Sequence, residues 1–229
     1  MPDRARVLVV YCHPCEESYC AALRDAVCDT LRADGHEVDL LDLHAERFDP
    51  VMWADERRAY HDAGPNLDPI RDHAERIARA EAMIFVYPTW WFAPPAMLKG
   101  WLDRVFVPGF AFLLPDAGHG LRPGLQHIRH LGVVTSGGAN WLTTLAMGFP
   151  GRRIFLTALR ANCHPLVRTG YSAIYKMDTA SEERLARHLE TIPPFVRRLM
   201  RPRRRVRTTG PAPEGLARRA LTDADRRGA

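Results

Sequence analysis

Short apolar runs alternate with amphipathic stretches from residue 7 to about residue 200. Val7–Tyr11 and Met83–Tyr87 are nearly continuous apolar runs, as strands covered on both faces require. Val38–Leu43, His130–Ser136 and Ser172–Met177 supply three more strand signals. Between them lie helical patterns. Glu16 to Ala33 repeats apolar positions at helical spacing and ends at Gly35, where a helix C-terminus favours a left-handed residue. Asp68-Pro69 reads as a helix start running to Ala82, with Asp as N-cap and Pro in the first turn. Pro94-Pro95 opens a helix with Met97, Leu98, Trp101, Leu102 and Val105 on one side. Thr179-Ala-Ser-Glu182 matches a capping box ahead of a last helix reaching Met200, which Pro193-Pro194 should kink or break. Strands alternating with helices predict an α/β architecture with a mostly parallel sheet.

Beyond Arg201 the periodicity stops. Residues 202–229 are expected to form a mostly disordered basic tail, with at most a short helix at Leu216–Leu221, leaving residues 1–201 as one domain. Charge agrees with this division. The 229-residue chain carries a net +5, but residues 197–229 hold eleven arginines against three acids, whereas residues 1–196 hold 21 basic and 24 acidic residues. A nucleic-acid role for the folded body thus loses its support, and an anionic membrane surface or acidic partner becomes a matter for the tail alone. With 46% apolar residues a sizeable core is attainable, which excludes wholly disordered and disulfide-dense small scaffolds. Five cysteines, four within the first 28 residues, do not form an extracellular disulfide framework. No run approaches a membrane span or a signal-peptide core, so a soluble, cytoplasmic and at most membrane-peripheral protein is expected.

Three loops at one sheet edge carry the candidate chemistry. The first follows the N-terminal strand: Cys12-His-Pro-Cys15 and then a helix start. Strand, C-x-x-C, helix is the layout of a thiol–disulfide oxidoreductase, while free Cys also packs as a small hydrophobe. A zinc site lacks a second ligand pair. The same loop, with His13 and Ser18, reads better as an anion cradle at a helix N-terminus. The second is Tyr87-Pro-Thr-Trp-Trp-Phe-Ala-Pro-Pro95, whose consecutive aromatics either stack on a planar guest, dock a helix or meet another subunit. The third, Thr135-Ser-Gly-Gly138, is either a tight turn or a close backbone approach to a ligand. Rossmann, P-loop and nucleophile-elbow motifs are absent.

These segments resemble the flavodoxin-like NAD(P)H:quinone oxidoreductases: the DT-diaphorase group, bacterial quinone reductases and ancillary oxidoreductases of potassium efflux systems. The likeness rests on His13-Pro-x-x-x-Ser18-Tyr19, on Tyr87-Pro-x-x-Trp91-Phe92-x-x-Pro95-x-x-Leu98-Lys-Gly-Trp-x-Asp103-Arg-Val-Phe106 with Gly109-Phe-Ala-Phe112 behind it, and on Thr135–Gly138. It implies a three-layer sandwich around a five-stranded parallel sheet of order 2-1-3-4-5, and a bound flavin, FAD or FMN. His13, Ser18, Tyr19, Cys20 and Ala22 would surround its phosphate, Pro88, Thr89, Trp90, Trp91 and Phe92 its ring, and Thr135, Ser136, Gly137 and Gly138 its polar edge. Phe112 and Leu114 fall on the substrate side, with His119 a further pocket candidate. NAD(P)H would donate hydride and a quinone would accept two electrons by ping-pong exchange in a homodimer. A flavin-binding regulatory partner of a transporter is the alternative. Two departures stand out: Cys20 replaces the usual Asn, and Glu16 and Glu17 would repel a phosphate if turned inward. No catalytic side chain is assigned.

Overall fold

The structure, a computed structural model, describes residues 4–62, 64–115, 118 and 120–201. The tail 202–229, with its expected helix, and His119 lie outside the described residues. Five parallel strands form the central sheet: β1 (Arg6–Tyr11), β2 (Glu37–Asp42), β3 (Ala82–Thr89), β4 (His130–Gly137) and β5 (Arg168–Ile174). Their order is β2-β1-β3-β4-β5, as the resemblance implies. The chain leaves β1 for one edge and returns through β3 to the other side, so a crevice opens where the connections diverge, beyond the carboxyl ends of β1 and β3.

Val7 to Tyr11 are wholly buried because alternate side chains serve two cores. Val7, Val9 and Tyr11 join Ile84, Val86 and Val134 under α1 (Tyr19–Ala33), while Leu8 and Val10 join Met83, Phe85 and Val133 on the opposite face. On the second face α2 (Ala54–Ala59) buries no side chain, while α3 (Arg71–Arg79) and α4 (Ala96–Val105) complete the layer. The Glu56–Arg104 ion pair at 2.8 Å holds α2 to α4. Beyond β4 come α5 (Trp141–Ala146) and α6 (Pro150–Arg153), the latter continuing as a π-helical turn over Ile154–Leu159. The last two helices are α7 (Glu182–Leu189) and α8 (Ile192–Met200).

Four boundaries differ from the pattern. The first helix begins at Tyr19, capped by Ser18, since Glu16 lies outside it in an ion pair with Arg24. Asp68 caps nothing: Pro65–Ile70 forms a 3₁₀ turn, the Asp68 carboxylate pairs with Arg71, and the α-helix starts there. The fifth strand runs Arg168–Ile174 instead of Ser172–Met177, its polar start hiding the signal of an edge strand. The last helix is two, parted at Glu190-Thr191, which leaves Pro193 and Pro194 in a first turn that tolerates missing N–H groups.

The packing of α8 depends on two glycines of the sheet. Gly132 and Gly170 are register partners on β4 and β5, and together they leave a groove for α8. A Cβ on Gly132 would stand 2.6 Å from Leu199 Cδ2, and one on Gly170 2.9 Å from Phe195 Cε2. Gly132→Val should therefore destabilise the chain by about 1–3 kcal/mol through overpacking. Urea denaturation checks this, with a lowered midpoint at unchanged slope as the expected result.

Candidate functional site

A cleft of about 820 Å³ opens at the carboxyl edge of the sheet, and all three loops reach it. In the first, His13 Nδ1 accepts the Cys15 N–H (3.0 Å), curling the chain before the helix. Ser18 Oγ accepts the Ala21 N–H (3.1 Å) and so caps α1. The open first turn of this 15-residue helix directs the N–H groups of Tyr19 and Cys20, and its positive end, towards the cleft. Glu16 is drawn outward by Arg24 (3.0 Å), and neither Glu16 nor Glu17 lines the cleft, so the feared repulsion of an anion does not arise. Cys20 is buried in the wall with its thiol pushed up to about 12 by burial, and it offers an apolar surface where a polar contact was in question.

The second loop is strained. Trp90 and Ala93 exchange two backbone hydrogen bonds of 3.0 Å around Trp91 and Phe92, whose φ values are +49° and +60°. Positive φ at both central positions is the I′ pattern, which favours Asn-Gly and costs a bulky residue about 1–3 kcal/mol. The Trp91 ring gains nothing in exchange, being 94% exposed. Trp90 lies beside it, half exposed, with its ring centre 6.3 Å from that of His13. The N–H groups of Trp91 and Phe92 take no partner among the described residues. The turn thus holds its backbone against local preference while presenting free donors and a bare aromatic face at the cleft.

The third loop forms the floor. Thr135 Oγ1 donates to the Tyr87 carbonyl (2.7 Å) and meets Thr89 Oγ1 at 2.9 Å, satisfying a buried hydroxyl. Gly138 leaves room for Asp178: a Cβ there would lie 2.3 Å from Asp178 Oδ2, and the carboxylate would have to swing away. Opposite stand groups that sequence reasoning did not select. Tyr171 and Tyr175 come from β5 and its exit, with both phenols raised by burial and therefore neutral donors. Phe149 and Arg152 come from α6 and its entry, and Thr144 from α5. Two tyrosines four apart at a strand end were the available signal, whereas Arg152 was one of thirty arginines.

Thirteen of the fourteen cofactor candidates line this cleft, and Ala22, one step further along α1, does not. Phe112 and Leu114 lie away from it. Phe112 belongs to a two-residue antiparallel pairing with Arg122-Pro123, and Leu114 is exposed. The C-x-x-C reading weakens: Cys12 is fully buried with its thiol pushed up to about 12, whereas exchange chemistry needs a lowered thiol, and Cys15 is exposed on the loop. Among the described residues no cluster of three or more His, Cys, Asp or Glu could hold a metal ion. No helix among them is long and apolar enough to cross a membrane.

Residues 5–163 match the family model described as flavodoxin-like fold. The chain is similar to ribosyldihydronicotinamide dehydrogenase [quinone] of Pongo abelii, with 32% identity over 127 residues, 48% of this chain and 54% of that protein. It thus spans about half the length of the curated relatives it matches. Among solved structures, Smu.1420 from Streptococcus mutans UA159 superposes with a TM-score of 0.72 at 27% identity, covering 84% of this chain and 99% of the other. The NAD(P)H:quinone oxidoreductase from Methanothermobacter marburgensis gives a TM-score of 0.74 at 24% identity, covering 88% and 100%.

The strain in the aromatic turn is measurable. Trp91→Asn keeps the turn, removes a side chain that packs on nothing and introduces a residue at ease with positive φ. The ligand-free variant should be more stable by about 1 kcal/mol, seen as a raised denaturation midpoint.

Proposed function

The chain belongs to the flavodoxin-like family, and from that premise we propose that it is a flavin-dependent NAD(P)H oxidoreductase that passes two electrons to quinone-type acceptors. One observation carries the reading: Trp91, exposed and held at positive φ beside free backbone donors, is an arrangement that a flat, polar-edged guest would repay. The cleft's chemistry fits an isoalloxazine with a phosphate arm. Ser18, the first turn of α1 and His13 would hold the phosphate; this end offers a helix dipole and donors without an inward carboxylate. Trp90 and Trp91 would cover the ring, while the donors of Trp91 and Phe92 and the Thr135–Gly138 backbone would meet its heteroatoms. Ala22 would act only by packing beneath that end.

When bound, the flavin supplies the hydride and electron chemistry. The protein's own part is to fix the ring's plane against the aromatic turn, exclude water from its buried side and leave the other side open. That open side would admit NAD(P)H and then the acceptor, which is the geometry of ping-pong exchange. Trp141, Leu142 and Leu145 present an exposed apolar face on α5 beside the opening. Its burial favours a homodimer, in which Phe112 and Leu114 would contact the acceptor bound in the partner's cleft.

The test is a visible spectrum of the purified chain, followed by addition of NADH or NADPH and a quinone. Bound or reconstitutable flavin and acceptor-dependent oxidation of the nicotinamide are expected. A colourless chain that takes up neither FAD nor FMN would overturn the proposal. Trp91→Ala should weaken flavin binding by roughly 3- to 10-fold, the worth of one aromatic contact, with the melting temperature little changed. Replacing Cys12 and Cys15 by Ser should leave turnover in place.

A further inference from the structure

The charged groups of the cleft are unevenly provided for. Elsewhere in the fold Arg24 pairs with Glu16, Arg76 with Asp39 and Arg104 with Glu56. Arg152 lines the cleft at its exposed rim, yet it forms no ion pair and no hydrogen bond among the described residues. Its guanidinium carbon lies 5.9 Å from the centre of the Tyr171 ring, and its charge also reaches the Tyr175 phenol. It stands with Tyr171 and Tyr175 on the side of the cleft away from the α1 N-terminus, where the phosphate reading places the other end of the guest. Asp178, the cleft's carboxylate, sits over Gly138 on the same side.

This distribution sorts by hydrogen-bond type. Arg152 can only donate, whereas the Asp178 carboxylate offers acceptor oxygens. The pyrimidine edge of an isoalloxazine presents an imide N–H, which suits Asp178, and oxygen and nitrogen acceptors, which suit Arg152. Hydride transfer breaks the donor's C–H bond and forms an N–H bond on the ring. The ring gains two electrons and one negative charge, and the nicotinamide becomes the oxidised cation. The later transfer returns the electron pair and hydrogen to the quinone, which takes one further proton from water. A guanidinium covered by the bound ring would be shielded from solvent, so its attraction for that charge would exceed that of a surface pair.

We propose that Arg152 is a catalytic residue that holds the negative charge gained by the ring's pyrimidine edge on accepting a hydride. The proposal rests on the flavin reading above. Its test compares the wild-type chain, Arg152→Gln and Arg152→Lys, each reconstituted with FMN. The midpoint potential is measured by equilibration with a reference dye, and sulfite affinity by titration of the visible spectrum. Arg152→Gln should shift the reduced-to-oxidised ratio at a given potential about tenfold towards oxidised, which is about 30 mV for a two-electron couple. Sulfite, whose adduct leaves the same negative charge on the ring, should bind about tenfold more weakly. Arg152→Lys should stay within about threefold of wild type, each chain being measured at saturating FMN. An unaltered potential and sulfite affinity in Arg152→Gln would overturn the proposal while leaving the flavin reading intact. So would a variant whose only change is a raised KM for anionic acceptors, which would make Arg152 an acceptor contact. A wild-type chain that takes up no flavin would remove both.

Discussion

Withdrawal of both faces of the sheet from water is the constraint from which the rest of the structure follows. Alternate residues of β1 and β3 enter two separate cores, so helices must cover each face, and the polar atoms these strands do bury, the Tyr11 and Tyr87 hydroxyls, come near their carboxyl ends. Unpaired backbone donors are then confined to the strand ends and to the helix starts that follow them. Reversal of connection between β1 and β3 holds two such ends apart, and the cleft is the space they leave. The site is thus a by-product of covering the sheet, refined by the residues placed around it.

Those refinements run against stability. Trp91 and Phe92 occupy positions that favour Asn and Gly, and Trp91 shows its ring to water. Gly138 gives up a side chain so that Asp178 can lie over the loop. Arg152 stays without a carboxylate among the described residues, in a chain where Arg24, Arg76 and Arg104 each find one. Trp91, Phe92, Gly138 and Arg152 all line the cleft, so the departures are concentrated where the proposed flavin would lie.

The sheet was legible in the sequence because Val7–Tyr11 and Met83–Tyr87 are apolar at every position, a pattern that suits a strand covered on both faces and little else of that length. Edge features were less so. Strand β5 begins with Arg168-Thr-Gly, and its identity depends on the pairing of Gly170 with Gly132, which no local pattern reveals. Asp68-Pro69 looked like a helix start because cap chemistry is local, yet the ion pair with Arg71 and a 3₁₀ turn displaced it. At the site, contiguous motifs announced themselves, and His13, Ser18, Trp91 and Gly138 do meet at one opening. The facing wall was hidden. Tyr171, Tyr175 and Arg152 come from separate elements, and in an arginine-rich chain one more arginine carries no signal.

The Phe92 carbonyl accepts the Gly151 N–H at 3.0 Å, tying the strained turn to the start of α6. A Cβ at Gly151 would stand 3.3 Å from Phe92 O and 3.5 Å from Tyr87 Oη, so the turn and the helix start are in close contact there. The two walls are therefore linked mechanically as well as by shape. The turn that would carry the face of a guest is thus hydrogen-bonded to the element that carries the arginine at its edge.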